Sequence, residues 1–508
     1  MNPYFADVGS RDGLGRQSLR GGAISLTARA VNAVTQIGSI LCLARLLSPE
    51  DYGLVAMVTA LTGFAPAVVD LGTRDAVVQR AGLTERDVSA LFWLTAGIGG
   101  AFALAMSASS PLIAHFYGEP RLVGVVLMLS LTFAALGLAA QHQALLRRAL
   151  MFRELAIIDV AANVLSTAAA IAMAFGGFGY WALVARPVAL SALAASGAWW
   201  YCRWRPGKPS LTSGAREMVK FGINLMGFCL TDFAARNGDR VAVGRVLGAR
   251  TLGFYQNALF VYDNVLDVLV FPLHQVAVSG LSKLQDDQAA LRRSWAKALS
   301  TVAFYAMPAF GILAITSQDL IVLLLGSKWA AAGALLSVLA LRGIPHSAER
   351  TMGWLHVVAG RTDRWLRWGL LAAGVQLLAV FCGLPFGPFG IVWAHVISMY
   401  LLFIPAVAYA GRPLGIGGRD VLASIAPQIT GTLAVTGAGF AMSTWLLAGL
   451  SSIERMAILV LAYLAMYLAL VVGLFRVTAP VHVCLSLVRE FLPPQLMMGN
   501  ASSPAVRK

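Results

Sequence analysis

Ala44-Arg45-Leu46-Leu47-Ser48-Pro49-Glu50-Asp51-Tyr52-Gly53 and Gly244-Arg245-Val246-Leu247-Gly248-Ala249-Arg250-Thr251-Leu252-Gly253 read as two copies of one hairpin. Arg45 falls on Arg245, Leu47 on Leu247 and Gly53 on Gly253, a constant offset of 200 residues. Each copy follows an apolar segment of helix length and precedes another. Duplicated helix sets mark transporters whose halves rock against each other around a site between them. A second echo lies further out. Phe178-Gly179 precedes the sixth apolar segment and Phe389-Gly390 the twelfth, at an offset of 211. Equivalent helices are then six spans apart, an even number that preserves orientation. The halves are therefore expected to be related by an axis along the membrane normal.

The 508-residue chain is 58% hydrophobic and 12% charged, roughly half the charge of an ordinary soluble protein. Apolar runs of about 20 residues recur along its length, each enough to cross a bilayer as a helix. Outer-membrane barrels alternate polar and apolar residues in short strands and give no such runs. The expected fold is an all-α polytopic membrane protein of about 14 transmembrane helices. It has two pseudo-symmetric six-helix lobes plus two extra C-terminal helices. Predicted spans are 23–44, 52–72, 89–109, 122–141, 155–175, 180–200, 221–244, 253–273, 297–316, 333–358, 367–385, 389–409, 421–447 and 456–475. These divide the chain into an N-tail (1–21), an N-lobe (22–203), a linker (204–220), a C-lobe (221–412), spans 13–14 (413–476) and a C-tail (477–508). Residues 276–296 and 481–492 read as amphipathic surface helices. The apolar run 320–325 reads as a segment dipping into the interface, followed by Lys328 and Trp329. The first 21 residues lack an apolar core before a cleavage site, so the first span is expected to act as the insertion signal.

A net charge of +15 can indicate a nucleic-acid partner, but its distribution here reports topology. Of 39 Lys and Arg, 27 fall in segments assigned to one side. The opposite loops hold Arg45, Arg121, Arg245, Arg250, Lys328 and Arg455. That bias places both termini in the cytoplasm, and no nucleic acid is expected to bind. The five cysteines are scattered, which gives no disulfide framework or metal motif. His346 and Glu349 lack the H-E-x-x-H order of a zinc protease, and no G-x-x-x-x-G-K-[ST] phosphate loop occurs. Neither a cofactor nor a metal is expected, and transport would draw on a proton or sodium gradient or on substrate consumption.

Ionisable groups inside a bilayer cost about 2.5–3.5 kcal/mol each on the insertion scale, so their positions are informative. Span one carries Ser25, Arg29, Asn32, Gln36 and Ser39 at steps of four and three, one face of a helix. Span seven carries Asp232, Arg236 and Asp239, with Arg240 beside them. The 200-residue offset superimposes Asp232 on Asn32, Arg236 on Gln36 and Asp239 on Ser39. Span ten carries Arg342, His346, Glu349, Gly353 and His356 at the same steps. Arg186 lies in span six. These groups can pair with one another structurally: Asp232 with Arg236, Asp239 with Arg236 or Arg240, Glu349 with Arg350. They can equally line a water-filled cavity suited to an anion, since guanidinium forks match phosphate oxygens. Asp70, Asp159 and Asp263 read as packing or interfacial groups. The turns of the two hairpins are expected to depend on Gly53 and Gly253.

Arg45-Leu46-Leu47-Ser48-Pro49-Glu50-Asp51-Tyr52-Gly53-Leu54-Val55-Ala56-Met57 resembles the first-hairpin signature of bacterial polysaccharide flippases. Those proteins are the Wzx-like branch of the multidrug/oligosaccharidyl-lipid/polysaccharide superfamily. Leu247-Gly248 with Leu252-Gly253-Phe254-Tyr255-Gln256-Asn257-Ala258 is similar to its second-half counterpart, and Leu325-Gly326-Ser327-Lys328-Trp329 to a further family element. The resemblance implies an inner-membrane protein that moves a polyprenyl-diphosphate-linked oligosaccharide to the periplasmic leaflet. The product would enter exopolysaccharide, capsule or O-antigen assembly, with a polymerase and co-polymerase as candidate partners. On this reading Arg29, Arg236, Arg240 and Arg342 attract the diphosphate or acidic sugars. Asn32, Gln36 and Ser39 meet sugar hydroxyls. Asp232, Asp239, His346 and Glu349 balance charge or carry a coupling proton. The alternatives are a drug or solute antiporter of the same fold, which should select acidic linings, and a membrane polymerase or ligase. The enzyme should display a large outer loop with catalytic groups, and the outer loops here are short.

Overall fold

A computed structural model describes residues 4–5, 11–80, 82–209, 213–285 and 287–480. For residues 11–21, 23, 213–232, 234–236, 271–276 and 278 it describes the helical backbone. The predicted amphipathic stretch 481–492 lies outside the described residues. Among those described there is no strand. The helices are α1 (Arg11–Leu46), α2 (Pro49–Thr62), α3 (Ala65–Asp70), α4 (Thr73–Gln79), α5 (Glu85–Ala108), α6 (Ser110–Tyr117), α7 (Leu122–Arg148), α8 (Phe152–Phe175) and α9 (Trp181–Tyr201). There follow α10 (Ser213–Ser282), α11 (Gln288–Leu325), α12 (Ala330–Glu349), α13 (Met352–Val358), α14 (Thr362–Gly383), α15 (Gly387–Gly411), α16 (Gly418–Trp445) and α17 (Ser452–Leu468). Among the described residues ten segments are long and apolar enough to cross a membrane, and one of them, Thr362–Leu414, holds two of the predicted spans.

The Ser48-Pro49-Glu50-Asp51 stretch is a helix start. Ser48 is extended (φ −85°, ψ 159°) and accepts the Asp51 amide on its hydroxyl. Asp51 Oδ2 in return accepts the Ser48 amide at 2.8 Å and its hydroxyl at 2.6 Å. Pro49 occupies the position where a missing N–H costs nothing. This capping box satisfies two backbone donors at an exposed helix start. Thr84 with Asp87 and Ser451 with Glu454 start α5 and α17 in the same way. The second hairpin turns differently. Its α10 backbone breaks at Gly248 (φ 79°, ψ 174°), a conformation that favours glycine.

Gly53 and Gly253 do not make turns: both are buried in helical backbone, and neither has a positive φ. The predicted second span, 52–72, divides into α2 and α3, and α4 lies beyond its end. Leu71 (φ 48°) and Gly72 (φ 64°) form the break between α3 and α4. Side chains of α7 hold it. Gln141 donates to Thr73 at 2.9 Å, and the Arg148 guanidinium donates to the carbonyls of Val77, Val78 and Arg80. Asp70 pairs with Arg74 at 3.1 Å. The predicted surface helix over 276–296 does not exist as a unit. Its first residues extend α10 and its last begin α11. The run 320–325 completes α11, and Trp329, in a short 3-10 turn, is fully buried.

The chain forms two compact units. One comprises Met1–Asn257, Ile321–Ala332 and Leu384–Pro388. In it α5, α7 and α9 pack together, and α8 packs between α1 and α9. Its aromatic cluster joins Phe92, His142, Trp199 and Trp204. The other comprises Ala258–Leu320, Gly333–Gly383 and Phe389–Lys508. There α16 and α17 lie against α11 around Ile315, Val435, Leu459, Tyr463 and Tyr467. Gln428 donates to Ser300 at 2.8 Å, and the Tyr467 hydroxyl donates to the Phe304 carbonyl at 3.0 Å.

Candidate functional site

The polar face of α1 meets polar groups of α8 and α9 inside the first unit. Asn163 donates to the Asn32 side-chain oxygen at 3.0 Å. Half-buried Arg186 donates to Asn163 Oδ1 at 3.3 Å, to Thr167 Oγ1 at 3.3 Å and to Gln36 Oε1 at 3.4 Å. Asn163 and Thr167 are buried, while Gln36 and Arg29 are exposed and Ser39 is buried. Every partner of this guanidinium is a neutral oxygen, and among the described residues no carboxylate pairs with it. Charge-assisted hydrogen bonds run to about 2.7–2.9 Å, so these contacts at 3.3 Å and beyond are loose. The cluster holds a positive charge among neutral polar groups, with donor capacity of the guanidinium unfilled. Pro187 follows directly within α9, so the carbonyl of Leu183 loses its helical donor.

On α10, Asp239 is buried and accepts the Tyr255 hydroxyl at 2.6 Å, while Arg240 donates to Asn237 Oδ1 at 2.5 Å. Both groups thus belong to local networks. The side chains of Asp232 and Arg236 lie outside the described residues.

The second unit gathers the predicted groups of span ten. Tyr262, fully buried on α10, lies 2.7 Å from Nδ1 of His346 on α12. His346 Nε2 is 3.9 Å from Glu349 Oε2, and the Arg342 guanidinium sits 5.7 Å above the Tyr262 ring. A phenol bonded to one ring nitrogen and a carboxylate near the other fix the imidazole plane and bias its tautomer. Tyr262→Phe is expected to lower the unfolding midpoint of the purified protein by an amount worth about 1 kcal/mol. An unchanged midpoint in a thermal-shift assay would remove this bond from the account.

Sequence reasoning about span one found Asn32 and Gln36 but not Asn163, which donates to Asn32, nor Thr167, which shares the Arg186 guanidinium with Gln36, and for span ten it missed Tyr262, the partner of His346. The signal for the first two was present: Asn163, Ser166 and Thr167 are polar at helical spacing within an apolar span. Tyr262 gave no such signal, because a tyrosine in a membrane helix is ordinarily read as packing.

Residues 42–334, more than half of the chain, match the polysaccharide biosynthesis protein family. The chain belongs to that family. It is 28% identical over 352 residues to the teichuronic acid biosynthesis protein TuaB of Bacillus subtilis (strain 168), covering 68% of this chain and 73% of the relative. It is 24% identical over 351 residues to the lipopolysaccharide biosynthesis protein WzxC of Escherichia coli (strain K12), covering 67% and 70%. It is 27% identical over 347 residues to the succinoglycan biosynthesis transport protein ExoT of Rhizobium meliloti (strain 1021), covering 67% and 69%. The fold is similar to that of the lipid II flippase MurJ in an inward closed conformation. The TM-score is 0.68 at 14% identity, over 90% of this chain and 99% of that one. It is also similar to an inward-facing multidrug resistance MATE family transporter, with a TM-score of 0.59 at 11% identity over 75% and 95%. The protein is thus an all-α, multi-pass membrane protein of a polysaccharide biosynthesis family.

Proposed function

We propose that this chain is a flippase. It moves a polyprenyl-diphosphate-linked oligosaccharide from the cytoplasmic to the periplasmic leaflet of an inner membrane by alternating access of its two lobes. The observation that carries this reading is Arg186, whose acceptors among the described residues are neutral and loosely held. A cation desolvated without a counter-ion is costly, and an anionic substrate offsets that cost when it binds. A diphosphate suits the planar guanidinium fork. A cationic drug would meet repulsion there, which disfavours the antiporter reading. The names of the relatives, which speak of teichuronic acid, lipopolysaccharide and succinoglycan, support a surface glycan as the product. We assign the driving force to a proton or sodium gradient, with His346 and Glu349 as the group that takes up the coupling ion. Both termini are assigned to the cytoplasm from the basic loops, and a polymerase with its co-polymerase to the receiving side.

Deleting the gene is expected to abolish surface polysaccharide while lipid-linked repeat units accumulate on the cytoplasmic side. If single units instead reach the surface unpolymerised, the chain acts as a polymerase and the transport reading is wrong.

A further inference from the structure

The two copies of the repeated hairpin touch each other inside the first unit, backbone against backbone at their glycines. A Cβ added to Gly53 would lie 1.7 Å from the Ala249 carbonyl oxygen, and one added to Gly253 would lie 1.8 Å from the Pro49 carbonyl oxygen. The 200-residue offset that carries Gly53 to Gly253 carries Pro49 to Ala249. The contacts are therefore two-fold mates: each hairpin presents its glycine to the same carbonyl of the other. Such a crossing leaves no room for a side chain at either glycine, and close-packed backbones of this kind part as one piece rather than by degrees.

A strap holds the crossing closed. α1 and α11 end in carbonyls that lack helical donors, and each end is capped from the other. Arg45 donates to the carbonyls of Leu323 (2.7 Å) and Leu324 (3.1 Å). Lys328 donates to the Arg45 carbonyl and Trp329 Nε1 to the Ala44 carbonyl, both at 2.8 Å. The buried Trp329 ring stands edge-on to Tyr52 of the first hairpin at 5.2 Å and Phe254 of the second at 6.1 Å. The three bonds made by Arg45 and Lys328 are exposed, so water competes for them and opening is cheap.

We propose that the Gly53–Ala249 and Gly253–Pro49 crossing, latched by Arg45, Lys328 and Trp329, is the closed gate on the side of the membrane opposite the arginine-rich loops. It parts once per transport cycle. The proposal rests on the transport reading above but names the moving part. Glycine is required at 53 and 253 because any side chain holds the carbonyls apart.

The test uses the full-length protein in intact cells with its five native cysteines replaced. The thiol introduced by Leu54→Cys, a position fully buried in the seam, is labelled with a membrane-impermeant maleimide from outside. Labelling should be slow in the otherwise unchanged chain. Gly53→Ala or Gly253→Ala should accelerate it about tenfold, the response of a two-state equilibrium when the added methyl disfavours the closed state by about 1.4 kcal/mol. Gly97→Ala, where nothing lies within 4 Å, should leave the rate unchanged. Where the seam alanines do not accumulate in the membrane, Arg45→Gln with Lys328→Gln adds no bulk and should produce the same acceleration. Equal rates in all accumulating variants overturn the gate. Labelling needs no substrate. Acceleration in a strain whose surface polysaccharide is indifferent to deletion of the gene therefore keeps the gate and removes the substrate assignment.

Discussion

Arg186→Leu is expected to cut surface polysaccharide to roughly a tenth of normal or less while the protein stays in the membrane. The guanidinium is the positive charge that joins α9 to α1 and α8, and its acceptors are the neutral oxygens of Gln36, Asn163 and Thr167. Hydrogen bonds to charged groups are worth about 1.5–3 kcal/mol, which is about 10- to 150-fold in affinity. Leucine removes charge and donors together but keeps the volume of the stem. Arg186→Lys separates the two contributions: the charge stays and the fork is lost, so yield should fall between the two. Lipid-linked units should accumulate in proportion, measured by extraction and mass spectrometry beside an immunoblot of the membrane fraction. Normal polymer yield in Arg186→Leu would place the cluster among structural networks and withdraw the observation on which the flippase reading depends.

The cluster shows how far residue types alone carry an argument in a membrane protein. Asn32 and Gln36 stand out because every polar side chain in an apolar helix needs a partner, and their spacing of four identifies one face. The same rule points at Asn163 and Thr167 on α8. The capping box at Ser48 is equally plain, because its two side chains act on backbone within one turn. What is not legible depends on distant residues. The predicted span 52–72 reads as one helix because nothing local compels Leu71 into a left-handed conformation. The compulsion comes from Gln141 and Arg148, about 70 residues away. Gly53 is misread for the opposite reason: glycine beside a hairpin suggests a turn, while its use here is a close approach to Ala249, two hundred residues off. The stretch 276–296 has the charge pattern of a surface helix, yet it splits between two longer helices. Periodicity reports a face and is silent on where a helix ends.

Arg455→Ala is expected to destabilise the second unit by about 1.5–3 kcal/mol, the worth of hydrogen bonds between charged groups in a partly buried fork. Arg455 stands in the first turns of α17, just after the Ser451–Glu454 capping box, where the helix dipole disfavours a cation. It is held there by Asp319 of α11, whose side chain is only 9% exposed. Nε donates to Oδ2 at 2.7 Å, and Nη2 donates to Oδ1 in parallel. The fork joins α17 to α11 at one end, as the Tyr467–Phe304 and Gln428–Ser300 bonds do further along. Removing the arginine leaves the little-exposed Asp319 carboxylate without its counter-charge. The unfolding midpoint of the purified protein should drop by about 5–10 °C. Protease should then cut the 412–418 connection to α16 more readily as α16 and α17 loosen together. The Asp319→Leu/Arg455→Leu double substitution should recover most of the loss, because an apolar pair of similar volume carries no desolvation penalty. A double variant as unstable as Arg455→Ala would mean that the pair fixes geometry rather than cancelling charge. A single variant with an unchanged midpoint would mean that α17 is held by its aromatic contacts alone.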